Sequence, residues 1–156
     1  MSIIIKEVVN KKQLKAFIDF PNKLYKNHRY YVPPLRFDEK SILQKKSNPT
    51  FDYCEARYWL AYKKDKIVGR IAGIINTAYI EKWNNPYMRF GWIDFEEDEQ
   101  IARALIEKVE TWAKEKGMTA VNGPMGFTDL DHEGMLVEGF DQPGTLATIY
   151  NHPYYP

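Results

Sequence analysis

The sequence predicts an α/β (α+β) domain with a mixed, mostly antiparallel central sheet, helices on both faces and one parallel strand pair flanking a long helix. Residues 57 to 63 and 67 to 76 alternate in side-chain character around a turn at Lys64-Asp65, which is typical of a β-hairpin. Asp98 to Lys116 carries a broad apolar stripe at helical spacing. These two patterns place a hairpin before a long amphipathic helix.

The strands on either side of that helix predict the parallel pair. Tyr87 to Asp94 reads as a third strand with Met88, Phe90 and Trp92 on one side, and Thr119 to Asn122 as a brief fourth core strand. A strand–helix–strand crossover makes its two strands parallel. Gly117 is placed to end the helix as a left-handed cap.

The N-terminal third is predicted to be one strand and short helices. Ile3 to Val9 is rich in β-branched residues, and Asn10 and Gln13 form a capping box that begins a helix. Because proline is disfavoured inside a helix, Pro21 is predicted to begin a second turn. Asp38 to Lys46 is predicted to be another short helix.

Two glycines mark a close approach in the hairpin. Gly69 and Gly73 share one face of the second hairpin strand, so a helix or a ligand comes near the backbone there. Tyr79 to Asn85 is polar and is predicted to be a turn.

Composition narrows the class of protein. The chain has 156 residues, 44% of them apolar and 28% charged, and this composition is typical of a single soluble globular domain. No apolar run reaches the roughly 18 residues of a membrane span, and the start lacks a basic n-region, so a cytoplasmic protein without membrane contact is predicted. Cys54 is the single cysteine, which excludes an internal disulfide and a cysteine metal framework.

Charge is unevenly distributed along the chain. Residues 1 to 46 hold eleven Lys and Arg against four Asp and Glu, whereas residues 92 to 141 hold four against thirteen. Such an uneven charge distribution can orient a charged ligand or partner, or the charges simply lie on the solvated faces of separate helices. Contact of the basic part with nucleic acid is the weaker interpretation.

Local motifs add a resemblance to a known superfamily. The order of elements resembles the GNAT (N-acetyltransferase) fold, and the motifs resemble an uncharacterised bacterial GNAT-like family from Tyr31 to the end of the chain. The motifs that carry the resemblance are Tyr31-Val32-Pro33-Pro34-Leu35, Val68-Gly69-Arg70-Ile71-Ala72, Phe90-Gly91, Gly123-Pro124-Met125 and Gly134-Met135-Leu136-Val137-Glu138-Gly139-Phe140-Asp141.

The resemblance implies an acyltransferase that moves an acyl group from acyl-CoA, such as acetyl-CoA, to an amine or other small-molecule acceptor. It also implies that residues 1–156 form a single GNAT-like domain that is incomplete at its C-terminus. The missing C-terminal part of the same protein is then expected to pack on it.

The resemblance directs attention to one turn. GNAT enzymes hold the diphosphate of acyl-CoA on a Gly-rich turn that opens the long helix, where backbone N–H groups attract anions. Here the turn is acidic and lacks glycine, reading Asp94-Phe95-Glu96-Glu97-Asp98-Glu99. We expect these acids to cap the helix themselves and to repel a diphosphate.

Candidate site residues follow from the same comparison. Ile93, Asp94, Phe95 and Asp98 are the predicted cofactor-binding residues, and the backbone of Ile93 to Phe95 would pair with the pantetheine arm as an added strand does. Glu133, in the loop after the fourth core strand, is the predicted base, and Tyr154 is the predicted acid.

Other readings of the same residues remain. Asp129, Asp131, Glu133 and Gly134 mimic the start of a calcium loop, but Phe140 stands where its bidentate Glu belongs. His132 alone gives zinc too few ligands, so no metal site is predicted. The alternative function is a catalytically inactive GNAT-like module that binds a peptide, a metabolite or a partner domain.

Overall fold

A computed structural model describes residues 2–146 and 148–156 of the chain. In these residues one five-stranded sheet has its strands in sequence order, antiparallel except for a parallel last pair. No helix in the described residues is long and apolar enough to span a membrane. The elements are β1 (Ile3–Glu7), α1 (Lys11–Leu24), α2 (Arg36–Ile42), a 3-10 turn (Pro49–Asp52), β2 (Cys54–Lys63), β3 (Lys66–Asn76), α3 (Thr77–Trp83), β4 (Tyr87–Phe95), α4 (Glu99–Glu115) and β5 (Ala120–Asn122).

The sheet buries a separate core on each face. On one face α4 packs against a cluster that includes Trp59, Ile71 and Met88. On the other face Phe17 of α1 packs with Leu60 and Ile74. Apolar burial on both faces fixes the sheet between helices and confirms the predicted fold class.

The two hairpin glycines admit helix α4. A Cβ atom at Gly69 would lie 2.9 Å from Ile101 Cγ2, and one at Gly73 would lie 3.1 Å from the Trp112 ring. Both contacts are tighter than ordinary van der Waals packing. Helix packing is therefore the reason for these glycines.

The N-terminal and C-terminal caps form as predicted. The Asn10 side chain accepts the Gln13 N–H at 2.9 Å, while Gln13 Oε1 accepts the Val9 N–H at 2.9 Å. Gly117, with φ +71°, follows the end of α4. Side-chain and glycine caps of this kind pair the helix-end groups that lack intrahelical partners.

The predicted break at Pro21 is wrong, because α1 continues through it to Leu24. A proline removes the N–H that would bond to the carbonyl four residues earlier, here that of Phe17. That carbonyl instead accepts a hydrogen bond from Arg70 Nη1 at 3.0 Å. A side chain from β3 thus supplies the donor that the helix lacks.

Two further predictions are corrected. The segment from Tyr79 to Asn85, predicted as a turn, belongs largely to α3, which Asn76 caps by accepting the Tyr79 N–H at 2.9 Å. Trp92 does not share a face with Met88. It adopts φ +46° in a β-bulge, because β4 has one residue more than β3 between the pairs Arg70–Asp94 and Ala72–Gly91. The Trp92 ring packs in the core on the α1 side of the sheet.

Candidate functional site

A cleft of about 200 Å³ lies where β4 continues past β5. The parallel pairing covers only Tyr87–Arg89 with Ala120–Asn122, so the end of β4 loses its neighbour there. The wall beyond β5 comes from residues 124–135 and 148–155, and α1 and α2 form the opposite side. The residues that line the cleft include Tyr25, Tyr31, Val32, Glu39, Ile42, Arg70, Trp92, Ile93, Asp94, Pro124, Leu130, Asp131, His132, Met135, Ile149 and Tyr155.

The floor of the cleft holds a buried ion pair. Arg70 Nε donates to Asp94 Oδ2 at 2.7 Å, and their side chains are only 6% and 9% exposed. Asp94 Oδ1 accepts the Tyr25 hydroxyl at 2.8 Å, and that hydroxyl lies 3.0 Å from the Tyr155 hydroxyl. Burial alone would lower the pKa of Arg70, but the neighbouring Asp94 and Glu39 carboxylates raise it above its ordinary value.

A second buried carboxylate lies beside this pair. Glu39 is 7% exposed, and its Oε2 accepts the Trp92 indole N–H at 2.8 Å. The bulge in β4 turns the indole toward α2. The cleft therefore carries two buried carboxylates, Asp94 and Glu39, whose charges both act on the Arg70 guanidinium.

The open end of β4 is occupied by tyrosine hydroxyl groups. The Phe95 N–H donates to the Tyr155 hydroxyl at 3.0 Å, and the Phe95 carbonyl accepts the Tyr154 hydroxyl at 2.6 Å. The Tyr155 ring stacks on Phe95 with ring centroids 4.3 Å apart. One acceptor and one donor thus sit where the amide groups of an added strand would pair.

Solved structures place this arrangement in a known fold. A tandem GNAT protein from the clavulanic acid biosynthesis pathway superposes with a TM-score of 0.61 at 14% identity, covering 77% of this chain and 35% of that one. A predicted acetyltransferase from Clostridium acetobutylicum, solved with acetyl-CoA, has a TM-score of 0.56 at 11% identity and covers 80% and 82%. The fold is GNAT-like.

Sequence relatives of this GNAT-like chain are longer proteins. Protein YghO of Escherichia coli (strain K12) is 35% identical over 152 residues, which are 97% of this chain and 39% of YghO. Bacterial ceramide synthase of Caulobacter vibrioides (strain NA1000 / CB15N) is 31% identical over 144 residues, or 92% and 37% of the two chains. The chain thus spans under two fifths of each relative. No family model matches it.

In this GNAT-like fold the acidic turn is self-capped and largely neutralised. Asp98 Oδ1 accepts the Gln100 N–H at 2.9 Å, which confirms the expected cap. Asp98 also bonds to Lys63, and Glu96 pairs with Lys66 at 2.6 Å. The bond from Lys63, followed by that from the Gln100 N–H, lowers the pKa of Asp98. The turn consequently repels an anion less than its sequence implies.

The structure brings some predicted site residues together and separates others. Ile93 and Asp94 line the cleft, while Phe95 and Tyr154 meet at the end of β4. Asp98 lies at the start of α4 with Lys63. Glu133 is exposed in its loop, between His132 and Gly134, which both line the cleft. Its role as the base and that of Tyr154 as the acid remain predictions.

Sequence reasoning missed the charged groups on the cleft floor. Arg70 stands between Val68 and Ala72 on a strand face that is otherwise apolar, and a charge there signals a buried partner. Glu39 carried no comparable signal. It lies in a polar stretch of α2, and it is buried where Trp92 of the bulged strand donates a hydrogen bond to it.

Buried tyrosines make the fold sensitive to alkali. Burial, followed by the charge of Asp94, raises the pKa of Tyr25 and of Tyr155 well above the ordinary 10.0. Above pH 10 the unfolded chain therefore loses protons that the folded chain keeps, so the free energy of unfolding falls as pH rises. We expect a fall of about 1.4 kcal/mol per tyrosine per pH unit, measured by urea unfolding between about pH 8 and about pH 11.

A tyrosine variant supplies the control for this prediction. Tyr25→Phe should make the fall above pH 10 less steep, because one of the hydroxyl groups that the fold keeps protonated is gone. Equal free energies of unfolding at about pH 8 and about pH 11 in the unmodified protein would show that these hydroxyl groups are not protected by the fold.

Proposed function

We propose that the protein transfers an acyl group from acyl-CoA to an amine acceptor held in the cleft. The observation that carries this proposal is the splayed β4–β5 pair, which leaves the end of β4 at Phe95 without a paired strand, next to a cleft with a charged floor. Ligands of open α/β sheets bind beyond the carboxyl ends of strands, and β4 and β5 both end there.

The edge of β4 fits the pantetheine arm of such a donor. The Tyr155 hydroxyl accepts from the Phe95 N–H as an amide carbonyl would, and the Tyr154 hydroxyl donates to the Phe95 carbonyl as an amide N–H would. The two hydroxyl groups stand in for one amide unit of a strand-like ligand. Donor binding at this edge then requires both of them to leave.

The turn that opens α4 fits the diphosphate less well. Asp98 already accepts the Gln100 N–H, which is one of the groups that would bind an anion at a helix N-terminus. We therefore propose that the donor is held mainly through its pantetheine arm. Glu133 as the proton acceptor and Tyr154 as the proton donor to the leaving thiolate complete the proposal.

The names of the relatives support an amine as the acceptor. One relative is a bacterial ceramide synthase, and ceramide contains an amide bond formed on the nitrogen of a long-chain amino alcohol. An aminoglycoside acetyltransferase from an uncultured soil sample, solved with sisomicin, shares the fold with a TM-score of 0.52 at 17% identity. Both names describe chemistry on amines.

Calorimetric titration with acetyl-CoA tests the donor. We expect binding in the micromolar to submillimolar range that is typical of enzyme substrates. No heat of binding at about 1 mM acetyl-CoA would contradict donor binding and favour the second candidate, a GNAT-like module that binds a metabolite without acyl transfer. The occupied edge at Phe95 is the observation behind that candidate.

Substituting the two tyrosines that occupy the Phe95 edge tests donor binding more directly. Tyr154→Phe/Tyr155→Phe keeps both rings but removes the hydroxyl groups that the donor must displace. Because each lost hydrogen bond is worth about 1 kcal/mol, we expect acetyl-CoA affinity to rise at least fivefold.

The half-exposed Tyr53 provides a matched control, since Tyr53→Phe removes one hydroxyl elsewhere and should leave the affinity unchanged. An unchanged or weaker affinity in the Tyr154→Phe/Tyr155→Phe variant would show that the donor does not use the Phe95 edge. If Tyr154→Phe lost turnover but bound acetyl-CoA more tightly, the result would fit both proposed roles of Tyr154, as occupant of the Phe95 edge and as proton donor.

A further inference from the structure

Glu39 is a buried carboxylate, and one of its two oxygens is available to a ligand. Its Oε2 accepts the Trp92 indole N–H at 2.8 Å, and within residues 2–146 and 148–156 the structure shows no hydrogen bond to its Oε1. A buried charge without a full set of partners costs free energy, so such groups commonly serve a function. The side chain lines the cleft, which gives that oxygen access to a bound molecule.

The backbone at Trp92 holds this carboxylate in place at a cost. Trp92 has φ +46°, a conformation that a bulky L-residue rarely adopts, and the extra residue in β4 turns its indole toward Glu39. Strain of this kind persists where the surrounding structure requires it and is concentrated at binding sites. By holding Oε2 of Glu39, the indole also fixes the direction in which Oε1 points.

The charges that line the cleft favour a cation. Glu39, Asp94 and Asp131 contribute three carboxylates against the one guanidinium of Arg70. That guanidinium is already paired with Asp94 at 2.7 Å. Among the described lining residues the carboxylates outnumber the guanidinium by two, so a positively charged ligand offsets part of the unbalanced negative charge.

The rest of the lining is apolar and continues to the surface. Leu130 lines the cleft and is 93% exposed, and Val32 is also exposed at its edge. Exposed apolar groups around a polar floor are typical of sites for amphipathic molecules. Further apolar residues of the cleft lining are Ile42, Met135 and Ile149.

We infer that Glu39 is the specificity-determining group for the acceptor: its free oxygen pairs with the ammonium group of a primary amine whose apolar chain lies over Leu130 and Val32. This inference rests on the proposed function, since it names the acceptor class of the same site. Trp92 acts through Glu39 and is a positioning residue.

Binding of octylamine tests this inference without any acyl donor. Glu39→Gln has nearly the same shape, and its side-chain oxygen still accepts the Trp92 indole N–H, so the fold should persist; thermal unfolding checks this. We expect octylamine to bind the unmodified protein and to bind Glu39→Gln at least tenfold more weakly, while 1-octanol binds both proteins equally.

Two further variants make the test specific. Glu110→Gln removes an exposed carboxylate on α4 and should change octylamine affinity by less than about twofold. Trp92→Phe keeps an aromatic ring but removes the indole donor, so a smaller loss of octylamine affinity is expected, with 1-octanol affinity unchanged.

Several results would overturn the inference. These are failure of the unmodified protein to bind octylamine, equal octylamine affinity in Glu39→Gln, or an equal loss of 1-octanol affinity in that variant. Because no acyl-CoA is present, this outcome is independent of the acetyl-CoA titration. Amine binding through Glu39 without acetyl-CoA binding would keep the recognition site and reject acyl transfer.

Discussion

Arg70→Met is expected to lower the free energy of unfolding by about 3–5 kcal/mol, the usual result of removing one partner from a buried ion pair. The substitution leaves the Asp94 carboxylate buried, and its remaining hydrogen-bond donors in the described part of the chain are hydroxyl groups. It also removes the hydrogen bond to the Phe17 carbonyl, which Pro21 deprives of its helical donor. Urea unfolding monitored by tryptophan fluorescence measures the loss.

Two comparisons show whether burial is the cause. Arg103→Met breaks an ion pair with Glu99 in which the side chains are 66% and 85% exposed, so its cost should not exceed about 0.5 kcal/mol. Arg70→Met/Asp94→Asn removes both charges and should be more stable than Arg70→Met alone. A cost below about 1 kcal/mol for Arg70→Met, or no recovery in the double variant, would reject the buried pair as a main support of this region.

Gly91→Ala is expected to cost about 2–3 kcal/mol and to weaken octylamine binding. A Cβ atom at Gly91 would lie 2.4 Å from the Met125 carbonyl oxygen, which belongs to backbone and cannot rotate away. The two segments would have to separate, and the hydrogen bond from the Met125 N–H to the Phe90 carbonyl, now 2.8 Å, would lengthen. Pro124, next to Met125, lines the cleft, so the binding site moves with it.

Gly144→Ala is the matched control for this substitution. A Cβ atom there would meet the Thr148 hydroxyl at 3.2 Å, and a side-chain hydroxyl can rotate. The free energies of unfolding of both variants and their octylamine affinities are the measurements. Equal stability of Gly91→Ala and the unmodified protein would mean that the loop after β5 is not tightly held against β4.

Local patterns were sufficient for most of the fold. The hairpin, α4 with its glycine end and the parallel pair follow from periodicity and turn chemistry, which act over a few residues. The exceptions have distant causes. The helix continues through Pro21 because Arg70, far along the chain, supplies the missing hydrogen bond.

The site was less predictable for the same reason. The sequence pointed to the end of β4 and to the acidic turn, and it anticipated that Asp98 caps α4. It did not indicate that Lys63 and Lys66 neutralise the turn, or that tyrosine hydroxyl groups occupy the Phe95 edge. Those pairings join residues that lie about 30 to 60 positions apart, beyond the reach of any local pattern.

The sequence by itself therefore determined the order of elements, the two apolar faces of the sheet and the capped start of the long helix, because each depends on near neighbours in the chain. The tertiary structure decided the chemistry of the cleft. One extra residue in β4 turns Trp92 toward Glu39, and burial together with charge pairing fixes Arg70 on Asp94. Burial and long-range pairing arise only when the whole chain is packed.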